Sequence, residues 1–125
     1  MANNPEFRGG ILFPEIFRKL AAFLTLCDSF NIPVVFLADI PRFMIGKNAG
    51  QAGIIHHGAL VFSFLANIEG AHLCIVIRKA YTAGLYAMGG PGFDPDQFVA
   101  FPKAKITIYE QRAVRKLALA AKMSP

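Results

Sequence analysis

Cysteine is scarce: Cys27 and Cys74 are the only two in 125 residues. Two thiols make no disulfide framework, and no Cys–His spacing suggests a zinc site, so no metal is expected. Both lie in apolar runs, which predicts buried, reduced thiols and fits a cytoplasmic setting. Long apolar stretches are missing too. No run reaches the ~18 residues of a membrane span, so no membrane insertion is expected. The first residues lack a basic leader and an apolar h-region, which predicts no secretory signal. Charge is thin, at 17% of residues against a usual ~25%. The net charge is +5, yet no aromatic–basic interleaving or helix-turn-helix pattern accompanies it, which argues against nucleic acid. The one basic cluster, Arg112, Arg115, Lys116 and Lys122, reads as a solvated helix face. No internal repeat or low-complexity tract stands out.

What is abundant is apolar surface, at 54% of residues. A chain of this length is expected to form one domain over residues 1–125 and to bury roughly two-thirds of its unfolded surface. The apolar excess predicts burial against other subunits, and hence a homo-oligomer.

The most informative segment is a strand that runs into a turn of small residues. Leu73 to Ile77 is apolar and β-branched; Arg78-Lys79-Ala80-Tyr81 and then Thr82-Ala83-Gly84 follow, before Leu85 to Met88 reopens as a short helix. Such a turn leaves backbone N–H groups pointing outward at the positive end of a helix. No bulky side chain is expected to cover Ala83 or Gly84, so a close approach by a ligand oxygen is expected, as in an oxyanion hole. An earlier strand, Val34 to Ala38, has the same design and is bracketed by Pro33 and Pro41. Two strands, each followed by a helical segment, predict βαβ units and a parallel core.

The remaining elements follow from periodicity and breakers. Ile16, Leu20, Phe23, Leu24, Cys27 and Phe30 recur at helical spacing after Pro14, with Pro33 preventing continuation. Pro41, Gly46, Asn48 and Gly50 make 39–50 a loop. A second helix is expected from about Gln51 to Asn67 and a basic amphipathic helix from Gln111 to Lys122, with short strands at Phe98–Phe101 and Ala104–Tyr109. Gly89-Gly90-Pro91-Gly92 lacks the lysine and spacing of a P-loop and reads as a turn. Adjacent His56 and His57 point about 100° apart on a helix, which favours a structural role over shared metal ligation.

Three motifs in order carry a resemblance: Asn31-Ile-Pro-Val-Val-Phe-Leu-Ala-Asp-Ile-Pro41, Gly53-Ile-Ile-His-His-Gly-Ala59 and Arg78-Lys-Ala-Tyr-Thr-Ala-Gly-Leu-Tyr-Ala-Met88. With Asn3-Asn4-Pro5 at the start, the chain resembles the C-terminal half of the biotin-dependent acyl-CoA carboxyltransferase β subunits. These include the propionyl-CoA and methylcrotonyl-CoA carboxylases and their methylmalonyl-CoA and glutaconyl-CoA decarboxylase relatives. The resemblance implies an α/β crotonase-like fold, a single-domain spiral of β-β-α units. It implies CO2 transfer between N1 of biotin and the α-carbon of an acyl-CoA thioester, with biotin presented on a partner carrier domain. It also implies a two-sided site completed by a carboxyltransferase N-terminal-half chain or full-length subunit, and assembly as a trimer or hexamer. The modest positive field suits a phosphorylated ligand such as coenzyme A.

Carried over by position, the Ala83 and Gly84 N–H groups become the biotin-side oxyanion hole, and Tyr81, Thr82, Asp39 and Phe43 join them as biotin-contacting residues. Read from local chemistry alone, Asp39 favours capping the turn before Pro41; Arg78 and Lys79 suit either a ligand or a peripheral ion pair, and Tyr81 and Tyr86 suit packing. The chain departs from the family pattern at Arg42, Gly50, Leu60, Ala71-His72 and Tyr109-Glu110. A non-catalytic assembly or regulatory module with the same fold is therefore the alternative. A crotonase-type hydratase or thioesterase ranks last, because Asp39, Glu69 and Asp94 near the strand ends sit in no matching motif.

Overall fold

The computed structural model describes residues 1–107 except Phe43 and Ile45, with only the backbone of Ala49. The expected C-terminal helix, the end of the last strand and the candidate residue Phe43 lie outside the described residues.

Helix α1, Pro14–Ser29, starts with proline at its first position, where a fixed φ helps and no N–H is missed. Phe17, Leu20, Leu24 and Cys27 form its buried stripe. Asn31, at φ +51°, reverses the chain, and the Ile32 N–H closes the end on the Cys27 carbonyl at 2.8 Å. Strand β1 then runs Val34–Ile40, two residues beyond the predicted end. The breaker-rich loop contains a short helix, α2, at Lys47–Gln51. Gly53, in the left-handed conformation, separates it from α3, Ile54–Leu65, so the second long helix starts later than expected.

Strand β2 spans His72–Tyr81 and is longer than its apolar core suggested, because Arg78-Lys79-Ala80-Tyr81 continue the strand. Helix α4, Ala83–Ala87, follows at once. Strands β3, Gln97–Ala100, and β4, Lys105–Thr107, both pair with the free edge of β2, one along each half. Every pairing is parallel, as the alternation of strands and helices predicted. Between β1 and β2 the register jumps from Ala38↔Val76 to Ile40↔Ala80, so β2 bulges opposite Asp39. The outer edge of β1 is met by the first residues of the chain, where Ala2 bridges Leu37 and the Leu37 N–H reaches the Met1 carbonyl at 2.8 Å.

The core lies on one face of the sheet. Phe17, Leu24, Phe36, Ala38, Val61, Cys74, Val76 and Ala80 are all fully buried there, between the strands and the pair α1 and α3. The opposite face carries the registered rows Val35↔Leu73 and Leu37↔Ile75↔Val99, in which Val35 is 40% and Val99 45% exposed. Parallel sheets are ordinarily covered on both faces. Among the described residues this face is uncovered, and further exposed apolar side chains, Phe7, Phe30 and Ile55 among them, belong to the N-terminal segment, the end of α1 and α3.

The Gly89-Gly90-Pro91-Gly92 segment is a tightly packed turn. A Cβ at Gly89, whose φ is +62°, would stand 2.8 Å from the Phe36 ring, and one at Gly92 would strike Tyr86 at 2.5 Å. Gly89→Ala is expected to cost about 1–3 kcal/mol, since both the backbone angle and the ring oppose it; urea denaturation would register this as a lower midpoint. Both cysteines are buried free thiols. Burial pushes Cys74 from 9.0 up to about 11. The folded state therefore holds the proton more tightly than the unfolded chain. The stability tied to it is complete below pH 9.0 and is lost as pH rises through about 11. Cys74→Ala is expected to flatten that alkaline decline in a pH series of denaturation curves, whatever its offset from the lost volume.

Candidate functional site

The turn at the end of β2 is built around a strained residue. Thr82 has φ +55° and ψ −151°, a region that a β-branched side chain strongly disfavours. Backbone bonds hold it from two sides: its N–H donates to the Thr107 carbonyl of β4 at 3.1 Å, and its carbonyl accepts the Leu85 N–H at 3.2 Å. The next two N–H groups, of Ala83 and Gly84, have no acceptor among the described residues. Ala83 is exposed and Gly84 buried. The strand-to-helix geometry thus presents two adjacent donors at the C-terminal end of the central strand, where ligands bind in open parallel sheets.

One expectation about this turn needs correction. Gly84 is covered on its α-carbon side by Ile40 of β1: a Cβ there would stand 2.9 Å from Cγ1 and 3.0 Å from Cδ1. Glycine at this position lets α4 pack directly on β1, in addition to leaving the backbone bare. The sequence did not signal this contact, because its two partners are far apart along the chain.

The other candidate residues occupy distinct places. Tyr81 is buried at the end of β2, while Tyr86 is 46% exposed and meets the Phe93 ring edge-on at 6.4 Å. Asp39 is buried, and its carboxylate pairs with Arg78 Nε at 3.1 Å instead of capping the turn before Pro41. The bulge in β2 brings Arg78 across to it, which settles Arg78 as an ion-pair partner. Lys79 has no ion pair among the described residues and stands in register with Lys105. His57 packs beside Gly53 with Nδ1 unpartnered, and His56 is exposed. Among the described residues no three His, Cys, Asp or Glu side chains gather into a metal site.

Two polar residues entered the sequence analysis only through the family pattern, with no role assigned. Asn3, part of the opening Asn3-Asn4-Pro5 motif, makes three hydrogen bonds to the backbone of Asp39 and Gly10. His72 is 5% exposed, and its ring lies edge-on to Phe36 at 6.4 Å. A pocket of about 400 Å³ opens between the N-terminal segment and α1, lined by Asn3, Phe7, Leu12, Leu20, Phe23 and Met88. It is apolar and does not reach the Ala83–Gly84 turn.

The sequence profile of the carboxyl transferase domain matches residues 1–117. The chain belongs to the carboxyl transferase family. Among the relatives of this carboxyl transferase chain, the uncharacterized carboxylase YngE of Bacillus subtilis is 48% identical over 99% of the chain and 24% of its own length. The biotin-dependent 3-methylcrotonyl-coenzyme A carboxylase beta1 subunit of Mycobacterium tuberculosis is 37% identical over 86% of the chain and 20% of its own length. In three dimensions the chain is similar to the transcarboxylase 12S structure, a hexamer with methylmalonyl-coenzyme A bound, at a TM-score of 0.89 and 32% identity. That match covers 97% of this chain and 23% of the other. The crotonase-like fold implied by the motifs is therefore present. The chain spans about a quarter of the length of the relatives it matches.

The Ile40–Gly84 contact can be tested in this carboxyl transferase chain by a double-mutant cycle. Gly84→Ala alone is expected to lose about 1–3 kcal/mol of stability. In the Ile40→Ala background the same change should cost clearly less, giving a coupling of about 1 kcal/mol or more in urea melts. Strict additivity would remove the contact from the account.

Proposed function

We propose that this chain is the biotin-facing component of an acyl-CoA carboxyltransferase, moving CO2 between carboxybiotin and the α-carbon of an acyl-CoA. The single observation that carries the reading is the pair of N–H groups at Ala83 and Gly84, without an acceptor among the described residues and set by the strained Thr82 at the end of the central strand. The family supports carboxyl transfer as the reaction class, and the names of the relatives support biotin and coenzyme A thioesters as its participants.

Biotin, brought by a carrier domain, supplies the carboxyl group that moves. The two N–H groups of this chain would donate to the biotin ureido oxygen, where negative charge grows as the carboxyl group departs. Donors already fixed in place stabilise that charge without reorganising. Thr82 holds both donors in position. Tyr81, Asp39 and Phe43 belong to the same proposed biotin side, with Asp39 acting through its ion pair to Arg78. The chain spans about a quarter of its relatives, and the acyl-CoA side is proposed to come from an N-terminal-half chain or a full-length subunit. The apolar sheet face, uncovered among the described residues, supports assembly with such a partner and into a homo-oligomer, trimeric or hexameric. No helix among the described residues is long and apolar enough to cross a membrane. We place the protein in the cytoplasm, where both buried thiols stay reduced.

Ala83→Pro is the sharpest probe. It deletes one donor at the first position of α4, where proline is well tolerated. The assay is carboxyl transfer from a biotinylated carrier domain to acyl-CoA, in a complex reconstituted with an N-terminal-half chain. Turnover is expected to fall roughly 10²–10³-fold while the melting temperature holds. Unchanged turnover would remove the donor pair from the reaction. Stable binding to the partner with no turnover in the parent chain would favour the non-catalytic assembly module.

A further inference from the structure

Asn3 does for the outer edge of β1 what a neighbouring strand would do. Its Oδ1 accepts the Asp39 N–H at 2.9 Å, and its Nδ2 donates to the Asp39 carbonyl at 2.7 Å. One side-chain amide thus occupies both backbone groups of a single residue. The same Nδ2 also donates to the Gly10 carbonyl at 3.2 Å. Gly10 is what permits the approach, because a Cβ there would lie 2.8 Å from Nδ2 and 3.1 Å from the Asp39 carbonyl oxygen.

The residue gripped in this way is not an ordinary strand position. Asp39 sits where the β1–β2 register jumps, so regular pairing does not fix it there. Asn3 holds its backbone from outside, and Arg78 holds its carboxylate from within the bulge at 3.1 Å. The next residue, Ile40, is fully buried and rests on Gly84. A displacement of Asp39 therefore passes to Ile40, and from Ile40 to the turn, through atoms already in contact.

We propose that Asn3 is a positioning residue for the Ala83–Gly84 donor pair, acting through Asp39 and Ile40. Its functional meaning rests on the reading of that pair as the biotin-facing donors; the mechanical coupling does not. The residue type follows from the geometry. Aspartate has nearly the same shape but lacks the donor, and it would set a carboxylate oxygen against the carbonyls of Asp39 and Gly10.

The test uses the full chain labelled with ¹⁵N. In Asn3→Asp, the amide signals of Ala83 and Gly84 are expected to move along with those of Asp39 and Ile40, while amides in α1 and at β3 stay in place. A loss of global stability alone would leave native-state signals where they were. Should Asn3→Asp fail to fold, Asn3→Ser, which keeps a donor and an acceptor on a shorter arm, serves in its place, with Ile40→Val as a second perturbation of the same path. In the reconstituted complex, kcat is expected to fall about tenfold with KM for acyl-CoA unchanged. Movement confined to Asp39 and its strand neighbours would overturn the proposal and leave Asn3 as a strap on β1. Movement at Ala83 and Gly84 with unaltered kcat would uphold the coupling and overturn the donor-pair reading instead.

Discussion

The parallel pairing of β1 with β2 is the interaction on which the rest of this structure depends. From Val34↔His72 to Ala38↔Val76 the two strands run in even register, and the side chains they turn inward, Phe36, Ala38, Cys74 and Val76, are the floor on which α1 and α3 sit. Phe36 also fills the space beneath Gly89, so the same strand shapes the turn that ends the α4 segment. Where the register breaks, β2 carries two extra residues opposite Asp39, and the strand arrives at Tyr81 with Ala80 still buried against Ile40. The candidate site lies at that end. Its geometry is a product of the bulge as much as of the small residues that follow it.

Much of this was legible in the residues. The 3–4 spacing in α1 and the unbroken apolar runs at Val34 and Leu73 leave little choice of element, and strands alternating with helices require parallel neighbours. The family motifs pointed to the fold and to the family. What could not be read was decided by contacts between distant segments. Arg78 and Lys79 looked like the end of a strand because charged residues seldom continue one; the bulge lets Arg78 stay exposed while pairing with buried Asp39. Gly84 looked like an opening for a ligand, and the Ile40 contact emerges only when β1 and α4 are packed. The α2 turn formed inside a stretch full of breakers, because glycine and asparagine only weaken a short helix. The role of Asn3 was invisible, because it is defined by backbone groups that carry no signature in sequence.

Among the described residues the chain holds a hydrophobic core on one side of its sheet and an apolar, uncovered surface on the other. Such a surface is expected in a family whose members are several times longer and, in the transcarboxylase 12S structure, assemble as a hexamer. The proposed division of labour follows the same line. The turn is shaped from within this chain by Ile40, Thr82 and Thr107, whereas the substrate facing it is proposed to be held by another.

Lys79 and Lys105 stand opposite each other where β4 joins β2. Like charges in register repel, so this joint carries an electrostatic opposition that dissolved ions can relax. The Thr107 carbonyl that holds Thr82 belongs to the same strand. Salt screening of these two like charges would ease the strand pairing that also carries the Thr107–Thr82 hydrogen bond.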